Sequence, residues 1–255
     1  MTPRLIVEPP MAEREAAAWT TPEERVAAAA FAPARRREFL AWRAVVRREL
    51  GRDVRIGYAA TGAPQLPDGQ AHISVSHCPG RVAVLLAGGR CAVDIEPATR
   101  NFERAAPRYL TPDERMLSAD PAWLAVAWCA KEALYKYAGR PGLDLLRDLR
   151  LEEVERCTDG CGAAAGGRIG ELAEGRAGGF FGACLEGRSG VRVGECFAGC
   201  SGTFSEECAG AYFEECSGTF SGAYFTGRIA GRIAGGERTE LVATIADGYV
   251  VVTIV

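Results

Sequence analysis

The sequence predicts an α+β chain built from two similar halves, and three observations carry that prediction. Thr21-Pro22-Glu23-Glu24-Arg25 and Thr111-Pro112-Asp113-Glu114-Arg115 each set a threonine N-cap, a proline in the first turn and a glutamate three residues after the threonine, the pattern of a capping box. Each is followed about twenty residues later by a longer helical pattern, around Ala41-Trp42-Arg43-Ala44 and Ala127-Trp128-Cys129-Ala130, and the two offsets are 90 and 86 residues. Strand-like runs lie between the two units and again at the C-terminal end. A repeat of this length places two pseudo-symmetric α/β halves side by side, residues 1–97 and 98–255, with a cleft between them as the natural ligand site.

Taken in order, the first long helix is expected from Arg35 to Glu49 and carries Arg35, Arg36, Arg37, Arg43, Arg47 and Arg48. Such a cluster grips a phosphate or an acidic protein face, or simply solvates a helix. Pro64 and Pro67 mark an irregular loop, and strands are expected at Ile73 to Ser76, Val82 to Leu86 and Cys91 to Ile95, with turns at Pro79-Gly80 and Gly88-Gly89. The second long helix is expected to start on Asp120 as N-cap, with Pro121 at its first position, and to end at Gly139. Ala127, Ala130, Leu134 and Tyr137 recur at helical spacing as a core stripe, while Trp128, Glu132 and Lys136 share a neighbouring face. Near the end, Leu241 to Ile245 and Tyr249 to Val255 flank Asp247-Gly248, a strong hairpin signal.

The stretch 157–238 differs in kind, holding 21 of the 31 glycines and seven of the ten cysteines in 82 residues. Its internal repeats, such as Cys-Ser-Gly-Thr-Phe-Ser at Cys200 and Cys216 and Gly-Arg-Ile-Ala at Gly227 and Gly231, keep no constant period. It therefore reads as a glycine-rich insertion in the second half with poor packing capacity, with room for a strand at Gly190 to Gly194. Cys157, Cys161, Cys196 and Cys200 offer zinc-like spacing, but no histidine lies near them.

Composition narrows the function. With 48% apolar and 25% charged residues and a formal net charge of −3, a chain of 255 residues buries a core and lacks the basic excess of a nucleic-acid binder. No apolar run approaches the ~18 to 20 residues that span a bilayer. The first twenty residues carry Arg4, Glu8, Glu13, Arg14 and Glu15 in place of a signal-peptide core, so a cytoplasmic, unanchored protein with reduced thiols is expected.

Of thirty basic residues only two are lysines, Lys131 and Lys136, five apart on the second long helix. A compact ammonium acts on phosphate as a point charge. Asp94 and Glu96, two apart at a strand end, project to one side and suit a hard cation such as Mg²⁺, with Glu132 as a third carboxylate, or else form a solvated strand end. His77, beside Ser76 at a strand-to-turn junction, is a hydrogen-bond donor to a phosphate or an ordinary turn histidine.

Three ordered motifs now resemble a known family. Ile73-Ser74-Val75-Ser76-His77, Ala92-Val93-Asp94-Ile95-Glu96-Pro97 and Trp128-Cys129-Ala130-Lys131-Glu132-Ala133-Leu134-Tyr135-Lys136 are similar to the serine-histidine motif, the metal-binding strand and the helix signature of the 4'-phosphopantetheinyl transferases of the surfactin/enterobactin type. With the arginine-rich helix from Arg36 to Leu50, the resemblance covers about residues 20 to 156. It implies two pseudo-symmetric halves of that transferase fold with coenzyme A and Mg²⁺ between them, acting as a monomer. It implies transfer of the phosphopantetheine arm of coenzyme A to a serine of an acyl, peptidyl or aryl carrier protein, releasing 3',5'-ADP, and no nucleic-acid or membrane partner. Asp94, Glu96 and Glu132 would then hold Mg²⁺, with Glu132 or a metal-bound hydroxide taking the serine proton and Lys136 neutralising pyrophosphate charge. His77, with Ser76 of its motif, and Arg43 would hold coenzyme A phosphates, with Arg36 and Lys131 contributing.

Some positions depart from the family's pattern. Gly62-Ala63-Pro64 lacks the lysine many relatives place between glycine and proline, Cys78 stands for a frequent serine, Ala92 for a glycine and Trp42 for another. With the glycine-rich stretch, these departures leave a second expectation open, a catalytically inactive relative that binds coenzyme A or a carrier protein.

Overall fold

The computed structural model describes residues 1–66, 69, 71–156, 225–236 and 238–255. Their elements in chain order are β1 (Arg4–Glu8), α1 (Glu13–Ala16), α2 (Pro22–Ala29), α3 (Pro33–Leu50), β2 (Gly57–Tyr58), β3 (Pro64–Gln65), β4 (His72–Cys78), β5 (Arg81–Ala87), β6 (Ala92–Pro97), α4 (Pro112–Arg115), α5 (Trp123–Ala138), β7 (Leu149–Arg156), β8 (Phe225–Ile233), β9 (Arg238–Ala246) and β10 (Tyr249–Ile254). Mixed helices and antiparallel sheets bear out the α+β class. No helix among the described residues is long and apolar enough to cross a membrane.

Both capping boxes form. Thr21 Oγ1 accepts from the Glu24 amide at 3.2 Å while Glu24 Oε2 accepts from the Thr21 amide at 3.0 Å, and Thr111 and Glu114 repeat the pair at 3.2 and 2.8 Å. The start of α5 differs from expectation. Asp120 Oδ1 accepts from the Ala122 amide at 2.8 Å, so Asp120 and Pro121 shape a turn ahead of the helix instead of capping it, and the helix opens at Trp123. Its end is as predicted, with Gly139 left-handed at φ 64°.

Two sheets pack together. The first has the order β1-β5-β4, and the second has the order β6-β10-β9-β8-β7. Leu40, Ala44 and Val45 of α3 cover one face of the first sheet, and Ala127, Ala130 and Leu134 of α5 cover the second. Tyr137, expected in that helix stripe, packs only partly buried against its core. Leu85 of β5 meets Val93 and Ile95 of β6 and Val251 of β10 in a third cluster, each no more than 8% exposed, which closes the sheets on each other.

β6 pairs with β10 in the register Asp94↔Val252. One expectation is corrected here. β8 falls inside the glycine-rich stretch, so residues 227–233 of that stretch pack as a strand between β7 and β9. The reason is close approach: a Cβ at Gly231 would lie 2.8 Å from Leu134 Cδ1 and 2.9 Å from Leu241 Cδ1, so glycine there lets α5 settle on the sheet. The β9–β10 hairpin forms at the predicted turn, with Asp247 and Gly248 at φ 53° and 76°. Residues 157–224, with the expected strand at Gly190 to Gly194 and the four cysteines of zinc-like spacing, lie outside the described residues.

Candidate functional site

β4 and β6 run side by side where the sheets meet, joined by side chains. The Val93 amide donates to Ser74 Oγ at 3.0 Å, and Ser76 Oγ donates to Asp94 Oδ1 at 2.8 Å. The turns beside them interlock: Tyr249 Oη donates to the Pro79 carbonyl at 3.1 Å, and Arg81 stands 3.6 Å from Asp247 and over the Tyr249 ring.

Strand and helix periodicity bring the acidic residues here. Asp94 and Glu96 project from one side of β6, and Glu132 and Lys136 sit one turn apart on α5. Lys136 Nζ donates to Asp94 Oδ1 at 2.7 Å, to the Val93 carbonyl at 2.9 Å and to the Val75 carbonyl at 3.5 Å, so one ammonium ties α5 to β4 and β6. Asp94 is 6% exposed, and Ser76 and Lys136 both donate to its carboxyl group, so its burial leaves a satisfied polar group. Glu96 pairs with Arg100, whose guanidinium lies over the rings of Phe102 and Trp128 at 5.0 and 5.8 Å.

Glu132 is half-buried, and no basic side chain pairs with it among the described residues. Burial first, then the charge of Asp94 and, more weakly, of Glu96, pushes it above the ordinary carboxylate range, against the pull of Lys136. Asp94 and Glu96 thus both act on Glu132. As the side chains stand, no three metal-ligating groups among the described residues lie close enough together to enclose an ion. The donor set is nonetheless all oxygen, and Glu132 has no cationic partner among the described residues, which suits a hard divalent cation that takes one or two carboxylates and keeps several waters.

His77 stands inside β4, not beyond its end, beside Ser76. Its Nδ1 is 3.2 Å from Glu38 Oε2 and its Nε2 is 2.5 Å from Arg35 Nη1. Burial lowers its pKa below 6.5; Glu38 and Asp94 oppose that shift, and Arg35 and Lys136 add to it.

Other expected residues are placed elsewhere. Lys131 is wholly buried and donates to Glu114 Oε1 at 2.6 Å, the Leu145 carbonyl at 3.0 Å and the Leu149 carbonyl at 2.5 Å, so it serves the core of the second half instead of meeting a phosphate. Arg43 is 3% exposed, stacked 3.3 Å from the Phe39 ring centre and bonded to Tyr58, and burial lowers its pKa to about 10. Arg36 donates to the carbonyls of Ala28, Ala29 and Phe31 at the end of α2. Sequence reasoning missed Arg35 and Glu38 as partners of His77, and Ser74 as the pin between β4 and β6. The Arg35/Glu38 spacing was visible, but nothing local joins it to a histidine 42 residues from Arg35.

Residues 90–173, which supply β6, α4, α5 and β7, match the family model of the 4'-phosphopantetheinyl transferase superfamily. The matched segment carries Asp94, Glu96, Glu132 and Lys136. The match includes both the acidic strand and the lysine helix, two of the elements that meet at the sheet junction, whereas β4 lies outside it. No curated protein matches the chain.

Proposed function

We propose that this protein transfers the phosphopantetheine arm of coenzyme A to a serine of a carrier protein, in a Mg²⁺-dependent reaction that releases 3',5'-ADP. The observation that carries the reading is the meeting of Lys136 and Glu132 from α5 with Asp94 from β6, 2.7 Å apart at the lysine, inside the matched segment. Asp94, Glu96 and Glu132 are the residues to hold Mg²⁺, which when bound supplies charge stabilisation to a phosphoryl group. Lys136 presents its ammonium to the diphosphate and steadies charge as it builds on the oxygens. Glu132, held above the ordinary carboxylate range by burial and by Asp94, takes the serine hydroxyl proton on its carboxylate. Ser76 keeps Asp94 in place, and this reading assigns His77 to the nucleotide end.

The proposed ancestry is a duplicated half. Its support is the recurrence of a capping-box glutamate bound by a cation of the following long helix, Glu24 by Arg47 at 2.6 Å and Glu114 by Lys131 at 2.6 Å.

Purified protein incubated with coenzyme A, Mg²⁺ and an apo carrier protein should raise the carrier's mass by one phosphopantetheine arm. Several carriers left unmodified, with coenzyme A still bound by calorimetry, would replace this reading with that of a binding module.

A further inference from the structure

The three carboxylates of the acidic site have different neighbours. Asp94 accepts from Ser76 and Lys136, Glu132 has no basic partner among the described residues, and Glu96 is paired with Arg100. The last pair is built into the fold. The Arg100 amide donates to the Pro97 carbonyl at 3.1 Å, closing a turn that carries residue 100 back over the end of β6, and the Ala98 amide fastens that turn to the β9–β10 hairpin by donating to the Gly248 carbonyl at 2.8 Å.

Arg100 has a second hold. Its guanidinium lies 5.0 Å from the ring centre of Phe102 and 5.8 Å from that of Trp128. Those rings are 5.8 Å apart and Tyr109 meets Trp128 edge-on at 5.1 Å, so the shelf beneath the cation is packed into the core of the second half. The rings attract a cation whether or not a carboxylate is beside it. Glu96 lacks that freedom. A guanidinium and a divalent ion that shared its oxygens would repel each other, so Glu96 serves one of them at a time. Because the Arg100 side chain is 51% exposed and that of Glu96 15%, the guanidinium is the partner with room to move.

We propose that Arg100 contests Glu96 with the divalent cation, an exchange that rests on the Mg²⁺ reading given above: the ion takes Glu96 by displacing the guanidinium, which stays on the Phe102 and Trp128 rings and returns when the ion leaves. Arg100 then sets how much Mg²⁺ the site needs. It is a positioning residue that acts through Glu96, since it meets neither the ion nor the reacting atoms.

The test is calorimetric titration of the full chain with Mg²⁺ alone, without coenzyme A. Arg100→Gln should bind Mg²⁺ about twofold to fivefold more tightly than wild type, the scale of one half-exposed ion pair. Arg104→Gln, an exposed neighbour that loses the same charge, should bind like wild type. In a Glu96→Gln background, where no carboxylate is contested, removing Arg100 should change nothing. Arg100→Gln binding as wild type does, Arg104→Gln tightening as much, or Arg100→Gln tightening equally with and without Glu96 would overturn the exchange alone. Wild type and Arg100→Gln both binding no Mg²⁺ would overturn the Mg²⁺ reading and, with it, the competition assigned to Arg100.

Discussion

The α2/α3 unit and the α4/α5 unit solve one problem with different cations. In the first, Arg47 lays its fork across both oxygens of Glu24 at 2.6 and 2.8 Å and also donates to the carbonyls of Val54 and Trp19. In the second, the smaller ammonium of Lys131 meets one oxygen of Glu114, the Leu151 amide fills in beside it at 2.8 Å, and two carbonyls take the remaining protons. Each cation locks a capped turn to the long helix behind it. What differs is the charge left over. α3 keeps Arg35 and Glu38 for β4, while α5 sends Glu132 and Lys136 to the sheet junction. Lys131 and Lys136 therefore share a residue type and a helix and have opposite fates, decided by the acceptors the fold places around each.

The sharpest way to break this contrast is Lys131→Ala. Removing one partner of a buried pair strands Glu114 and should cost about 3–5 kcal/mol by denaturant melts. Arg47→Ala should cost less, because Arg43 remains 3.5 Å from Glu24. Equal losses would mean that the two locks are interchangeable.

Lys136→Ala should do the reverse. Transfer should fall about 10²–10³-fold, the range for one preorganised electrostatic group, with far less loss of stability than Lys131→Ala. A variant that melts early and still turns over would make Lys136 a structural tie.

Gly231→Ala should cost about 1–3 kcal/mol by crowding Leu134 and Leu241, and Gly80→Ala a similar amount, since its Cβ would come 2.7 Å from Tyr249 Oη at φ 85°. Thermal melts at matched concentration check both.

The smallest effect concerns pH. Folding holds His77 below 6.5, so the unfolded chain takes that proton more readily, and stability falls as pH drops from above 6.5 through the folded value. His77→Gln should flatten that acid slope in melts taken at several pH values.

Much of the site was legible because its members obey local periodicities: i, i+2 on a strand for Asp94 and Glu96, and i, i+4 on a helix for Glu132 and Lys136. The capping boxes and the Asp247-Gly248 hairpin were legible for the same reason. Partners distant in sequence were not. Arg43 and Lys131 look like available cations until Phe39, Tyr58, Glu114 and Leu149 fold around them. β8 hid behind its composition, yet Gly227, Ile229 and Gly231 point inward and Arg228 and Arg232 outward, so its alternation was present under the glycine bias.

The central claim is that Glu132 on α5 acts together with Asp94 and Lys136 on a phosphoryl group, and carrier mass spectrometry with Glu132→Gln tests it most directly. Wild type should load the carrier with one phosphopantetheine arm, and Glu132→Gln should do so about 10²-fold or more slowly while remaining folded. Loading by the variant at the wild-type rate would contradict the claim.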